Sequence, residues 1–272
     1  MPSPTAETLS EVLRPITAAP GEAAIFCDVD GTLAPIVRRA DDAHVPERIS
    51  LLVGSLGRRY RCVACVSGRS AAEARRLVGV GSVAYAGSHG AELLEAGARR
   101  PRVAPAFASW RGQVRRFATA YDSTELRLLR IRLEDKGPIT AFHWRGVPDE
   151  AAARTRLEGI AAEAEAAGLD THWGRKVLEI RPPVPIGKGE AVTDLVHSSG
   201  ARTALFGGDD ATDLDAFDAL DTLVEAGELE AAVRVGVRSE EGPSAIVERA
   251  DLVVDGVPGF EAVLANLRDA VV

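Results

Sequence analysis

Ile25-Phe26-Cys27-Asp28-Val29-Asp30-Gly31-Thr32-Leu33 opens as an apolar run and ends in two carboxylates, a glycine and a hydroxyl. A run of this kind, bounded by turn residues, predicts a buried parallel strand, with the polar groups falling where the strand meets its loop. Open α/β sheets bind ligands at that edge. Side chains alternate along a strand, so Asp28 and Asp30 are expected to point to one mouth while Val29 turns into the core. Two neighbouring carboxylates invite a cation. Asp-x-Asp-Gly is equally a turn with capping acids, and the stretch alone does not separate the two readings.

The surrounding chain has 272 residues, 46% of them hydrophobic, and a formal charge of −8. That length suffices for one large domain or two modest ones, and the negative balance argues against a polyanion-binding surface. Cys27, Cys62 and Cys65 are an odd set with no second ligand pair for a metal, and they read as reduced packing residues. The first twenty residues carry neither a basic stretch nor an apolar one, and no apolar run approaches a membrane span of about 18 residues. The expectation is a soluble cytoplasmic protein with no nucleic-acid or membrane partner.

In chain order, residues 6–18 predict a short helix, 46–59 a helix with Ile49, Leu52, Val53 and Leu56 on one face, and 61–66 a second strand. This strand ends in Ser67-Gly68-Arg69, and Ser70-Ala71-Ala72-Glu73 has the form of a capping box. Residues 82–86 predict a third strand before Gly87-Ser88-His89-Gly90. The pattern then changes. A helix over 105–121, strands over 126–133 and 139–144 joined by a Gly-Pro turn, an alanine-rich helix over 149–167 and a hairpin over 171–181 around Gly174 predict an α+β unit. Domains are therefore expected at 1–103 with 184–272, and at 104–183. The inserted unit carries Glu134, Lys136, His143, Arg145 and Glu179, which suit hydroxyl and phosphate recognition or, equally, a solvated sheet face.

The first unit resumes with Gly187-Lys188-Gly189 at a helix start, where both the ammonium and the helix end favour a phosphate. A strand over 203–206 ends in Gly207-Gly208-Asp209-Asp210-Ala211-Thr212-Asp213, and strands over 233–237 and 252–254 and a helix over 259–271 close the chain. Four strand ends thus carry Asp28 and Asp30, Ser67, Lys188, and Asp209 with Asp213. In a parallel sheet these ends open on one edge, so the groups are expected to meet around one ligand.

With Asp28-Val29-Asp30-Gly31-Thr32, Ser67, Lys188 and Gly208-Asp209-Asp210 as four motifs, the chain resembles the haloacid dehalogenase (HAD) superfamily. The resemblance implies a Rossmann-like parallel-sheet core with an inserted smaller α+β cap. Within that superfamily the chain is most similar to trehalose-6-phosphate phosphatases. Ser67-Gly68-Arg69, Gly87-Ser88-His89-Gly90, Glu134-x-Lys136, His143-x-Arg145, Val177-Leu178-Glu179-Ile180-Arg181-Pro182 and Gly208-Asp209-Asp210-x-Thr212-Asp213 carry that likeness. It implies that Glu134, Lys136, Arg145 and Glu179 face a disaccharide phosphate, and that Arg69, His89 and His143 either touch the substrate or support the fold around it.

Such a site implies Mg²⁺ held by Asp28, the Asp30 main-chain carbonyl and Asp209. Asp28 is then the nucleophile and Asp30 the general acid and base. Thr32, Ser67, Gly68 and Lys188 would hold the phosphoryl oxygens, with Asp210 and Asp213 in support. One departure stands out: Leu214 followed by Asp215 occupies the place where the family usually has an acid directly after Thr-Asp. Either the metal shell is altered, or Asp215 substitutes. The alternatives are a phosphatase for another sugar phosphate, such as glucosyl- or mannosyl-3-phosphoglycerate, or a catalytically silent phosphosugar-binding or regulatory subunit. The chain carries no glycosyltransferase pattern, so a trehalose-6-phosphate synthase is expected as a separate partner.

Overall fold

A computed structural model describes residues 4–37, 43–136, 139–174, 176–239 and 242–270. The chain divides into two compact units, Met1–Arg102 with Ile186–Val272, and Val103–Pro185. Its strands are β1 (Ala23–Cys27), β2 (Cys62–Val66), β3 (Ala84–Gly87), β4 (Glu92–Leu94), β5 (Arg102–Val103), β6 (Arg132–Asp135), β7 (Thr140–His143), β8 (Asp170–Gly174), β9 (Val177–Arg181), β10 (Thr203–Gly208), β11 (Ala231–Arg238) and β12 (Leu252–Asp255).

The larger sheet runs in the order β12-β11-β10-β1-β2-β3-β4-β5. The pairs from β12 through β3 are parallel, and β4 turns back antiparallel on β3. Apolar residues on both faces of β1, β2 and β10 explain why the centre of this sheet is buried between two layers. Ile25, Cys27, Val63, Cys65, Leu205 and Val233 point into one cluster, which helices Glu47–Leu56 and Gly256–Asp269 cover. Their neighbours Ala24, Phe26, Ala64, Val66, Ala204 and Phe206 point into the other, covered by helices Lys188–Ser199 and Asp213–Glu225. Phe206 and Phe217 meet there edge to face, 6.2 Å between ring centres. Truncating either ring to alanine would cost about 3–5 kcal/mol.

Strand order reverses at β1, which has β2 on one side and β10 on the other. That is the topological switch point of a doubly wound sheet, and its carboxyl edge is where a crevice forms. No described helix is long and apolar enough to cross a membrane.

In the second unit an antiparallel sheet runs β6-β7-β9-β8. Phe142, Leu178 and Ile180 pack on helices Arg111–Ala120 and Glu150–Ala166 through Val114, Ala118, Leu157 and Ile160.

Several expected elements change. The strand expected over 126–133 begins as helix Thr124–Leu128, capped by the Ser123 hydroxyl, which accepts from Leu126 N–H. Leu126 is buried but Leu128 is 79% exposed, so the leucines do not follow strand alternation, and a capping serine before good helix formers wins locally. The helix expected over 105–121 is broken into Pro105–Ala108 and Arg111–Ala120. The first helix is divided into Ala6–Val12 and Arg14–Thr17. The expected Gly-Pro turn at 137–138 and part of the loop after Leu33 lie outside the described residues.

Candidate active site

Strand β1 ends at Cys27, and Asp28 N–H still donates to Gly207 carbonyl on β10 at 2.9 Å. Beyond it the chain folds back on itself, with Leu33 and Ala34 N–H both donating to the Val29 carbonyl at 3.0 and 2.8 Å. Gly31 takes φ +100° in this turn, and a Cβ there would stand 2.2 Å from the Asp209 carboxylate. Only glycine meets both requirements. In this turn Asp28 is 4% exposed, and the Asp30 side chain, 38% exposed, meets Arg69, which follows the Ser67 strand end.

Asp28 is met by Lys188, the first residue of helix Lys188–Ser199, whose Nζ lies 2.6 Å from Asp28 Oδ1 and 2.6 Å from Asp213 Oδ1. Lys188 stands at the expected helix start, and the edge is built from three strand ends and this helix start. Asp213 Oδ2 accepts from the N–H groups of Asp209 and Asp210, both at 2.9 Å, so this carboxylate ties the lysine to the loop after β10. Thr32 donates its hydroxyl to Asp209 Oδ1 at 3.4 Å.

Among the described residues, oxygens of Asp28, Asp209 and Asp213 lie within 4.8 Å of one another, and all three residues are buried. Fully ionised, the three carboxylates against one ammonium would carry an excess of two negative charges. Burial works against the charge on Lys188, but Asp213 and Asp28 outweigh it and hold the ammonium protonated. The strain falls on the acids. Burial, opposed in part by Lys188, pushes Asp28 well above the usual carboxylate range, and burial with Asp213 pushes Asp209 up to about 7. An all-oxygen donor set with surplus negative charge fits a hard divalent cation. Asp213 already has partners on both oxygens, which leaves Asp28 and Asp209 as the better donors.

Asp210 is exposed and its carboxylate accepts from its neighbour Ala211, at 2.5 Å. Asp215 stands beside Gly187, where a Cβ would come 3.3 Å from its Oδ2. It is not among the clustered carboxylates, so Leu214 leaves that cluster to Asp28, Asp209 and Asp213.

The second strand end is held from β3. Ser67 N–H donates to Ala86, Ser67 Oγ accepts from Arg69 N–H at 3.1 Å, and Ser67 and Arg69 carbonyls accept from His89 and Ser88. Ser88 and His89 both take positive φ, 49° and 56°. The His89 ring lies against Gly68, where a Cβ would be 2.8 Å from it. Ser70 and Glu73 form the expected capping box.

In the second unit Glu134, Ala141, Glu179 and His172 form one cross-strand row. His143 bonds Glu134 at 2.5 Å, and that hydrogen bond holds the Glu134 carboxyl below its usual range. Lys136 donates to Glu179 at 3.0 Å, and Arg181 pairs with the same carboxylate at 2.6 Å. Glu179 and Arg181 are 4% and 8% exposed, so this is no solvated face of loose surface pairs. Arg145 is exposed, past the end of β7. Arg181 was not among the expected site residues, although it shares strand parity with Glu179 on the apolar background of β9.

A buried carboxylate after β1, a serine after β2, a lysine at a helix start and carboxylates after β10, all at the switch point of a parallel sheet, define a HAD-type hydrolase fold. The C-terminal domain of Candida albicans trehalose-6-phosphate phosphatase shares it, with a TM-score of 0.70 at 20% identity over 98% of each chain. The chain belongs to the trehalose-phosphatase family, whose model matches residues 26–250. It is 36% identical over 209 residues to the trehalose-phosphate phosphatase of Mycobacterium avium, covering 72% of this chain and 51% of that one. It is 33% identical over 204 residues to an uncharacterized glycosyl hydrolase of Mycobacterium tuberculosis, covering 72% of this chain and 15% of that one. The chain thus spans about half the length of its phosphatase relative and a small part of the glycosyl hydrolase.

Proposed function

We propose that the protein hydrolyses trehalose 6-phosphate to trehalose and phosphate through an aspartyl-phosphate formed on Asp28. The observation that carries this reading is the buried Asp28–Lys188 pair at 2.6 Å with Asp209 and Asp213 beside it, in a member of the trehalose-phosphatase family. A carboxylate approaching a phosphate dianion meets repulsion, and the Lys188 ammonium, kept in place by Asp213, offsets part of it. Asp28 attacks phosphorus as the ester bond to the sugar oxygen breaks, and Asp30 supplies the proton to that oxygen. Asp30 then takes a proton from the water that releases phosphate from Asp28. Ser67, Gly68 and Thr32 hold phosphoryl oxygens or, for Thr32, the Asp209 carboxylate to which it already donates. Mg²⁺, held by Asp28, the Asp30 carbonyl and Asp209, would supply positive charge against the phosphoryl oxygens.

On this reading residues 104–183 form the cap that selects the sugar. Glu134, Lys136, His143, Arg145 and Glu179 supply acceptors and donors for disaccharide hydroxyls, and Arg181 braces Glu179. A separate trehalose-6-phosphate synthase would supply the substrate. The test is phosphate release from a panel of sugar phosphates with and without Mg²⁺. Strong, Mg²⁺-dependent preference for trehalose 6-phosphate supports the proposal. Preference for a glucosyl- or mannosyl-phosphoglycerate overturns the substrate, and binding of trehalose 6-phosphate without turnover overturns the activity.

A further inference from the structure

Arg69 does more than follow the phosphate-loop serine. Its Nε lies 2.7 Å from Asp30 Oδ2 and its Nη2 2.7 Å from Asp30 Oδ1, a two-pronged contact that fixes both the position and the plane of the carboxylate. The guanidinium itself is sheltered, with its side chain 18% exposed. Its backbone is pinned at both ends: the N–H donates to Ser67 Oγ at 3.1 Å, and the carbonyl accepts from Ser88 N–H at 2.7 Å. Ser88 and the next residue, His89, hold positive φ to make that contact, a conformation that costs roughly 1–3 kcal/mol per non-glycine residue and persists only where surroundings impose it. The His89 ring in turn lies on Gly68, so nothing larger fits between Ser67 and Arg69. Three segments of the core unit thus converge on the orientation of one arginine side chain.

We propose that Arg69 is a positioning residue for Asp30, setting where the carboxyl group stands for proton transfer with the sugar oxygen. This rests on the proposed phosphatase reaction. The two-pronged contact holds the carboxyl group in one plane beside the Ser67 strand end, which is the placement its two tasks share.

The test separates leaving groups. Trehalose 6-phosphate leaves as an alkoxide that needs a proton, whereas p-nitrophenyl phosphate leaves as a stable anion that does not. Wild-type, Asp30→Ala, Arg69→Ala and the double variant are assayed on both with Mg²⁺. Phosphate release by the wild type establishes the underlying reaction; its absence defeats the proposed function and is read before any variant. Under single-turnover conditions, which read leaving-group release apart from the later hydrolysis of the aspartyl-phosphate that both esters share, Arg69→Ala is expected to lower the saturating rate for trehalose 6-phosphate by about 100-fold, the scale of a misplaced catalytic group, with half-saturation little changed and the rate for the aryl ester within about 5-fold. Adding Arg69→Ala to Asp30→Ala is expected to cost no more than about 2-fold further, since a residue that acts through another adds nothing once it is gone. Equal losses of leaving-group release on both esters, a rise confined to the half-saturating concentration of the sugar ester, or additive losses in the double variant would each overturn the assignment. If melting curves show Arg69→Ala to be unfolded, Arg69→Lys, which keeps charge but not the fork, is read by the same ratio of esters.

Discussion

Replacing Asp213 by asparagine keeps the shape of the side chain and removes the property the site uses. Asp213 is fully buried, and both of its oxygens accept: Oδ1 from Lys188 Nζ at 2.6 Å, Oδ2 from Asp209 and Asp210 N–H at 2.9 Å. An asparagine amide offers one oxygen and one NH₂ group. Whichever way it is turned, a donor faces a donor, either the ammonium or the two backbone N–H groups. Losing a charge-assisted bond removes about 1.5–3 kcal/mol, and leaving buried donors unmet adds about 1–3 kcal/mol. Relief of repulsion on Asp28 and Asp209 returns part of this, so the expected loss is about 3–4 kcal/mol. Urea unfolding at pH 7.5 without Mg²⁺ measures it, with Asp210→Asn as the control. Asp210 is exposed, and its replacement is expected to stay within about 0.5 kcal/mol of the parent. A loss below about 1 kcal/mol for Asp213→Asn would refute the claim that this carboxylate ties Lys188 to the loop after β10.

Three further outcomes follow from the same geometry. The folded protein keeps the Asp209 proton up to about 7, whereas an unfolded chain releases it near the ordinary aspartate value of about 4, so without metal this group's contribution to stability falls as pH rises between those values. Mg²⁺ must displace that proton, so the stabilisation by Mg²⁺ in urea titrations is expected to be larger at pH 8 than at pH 5.5; the reverse order would contradict Asp209 as a ligand. Gly31→Ala forces a Cβ to within 2.2 Å of the Asp209 carboxylate at φ +100°, and calorimetry is expected to give at least about tenfold weaker Mg²⁺ binding, whereas parent-like binding would contradict the turn's role. Glu134→Ala leaves His143 without its carboxylate partner, and activity is expected to fall by about tenfold or more on trehalose 6-phosphate but little on p-nitrophenyl phosphate; equal losses would remove Glu134 from sugar recognition.

Much of the core edge was legible because strand physics is local. Apolar runs of the right length stop at Asp28, Ser67 and just before Asp209, and parallel pairing puts such ends on one edge, so the approach of Asp28 to Asp209 follows from the strand pattern. The capping box at Ser70 and Glu73 was legible for the same reason. What could not be read depends on distant partners or on competition between weak signals. Asp30 reads as a second strand residue, whereas it lies in a turn closed by Val29 and Ala34, and its partner Arg69 lies 39 residues away. Leu126 and Leu128 carried a strand-like spacing that a serine cap converted to a helix. Arg181 reads as the last residue before a proline linker, and the burial of both side chains is what reveals that it belongs with Glu179, two residues back on the same face of β9, in an ion pair. The short β4 was invisible because Glu92 to Leu94 is too brief to show a period.

Trehalose 6-phosphate turnover by the parent protein and by Asp28→Asn, measured side by side in Mg²⁺, tests the central claim most directly. The parent is expected to release phosphate, while the variant, its buried side chain 4% exposed and nearly the same shape but without a nucleophilic carboxylate, falls by at least about a thousandfold. A parent that binds the ester without releasing phosphate, or a variant that keeps near-parental turnover, would contradict it.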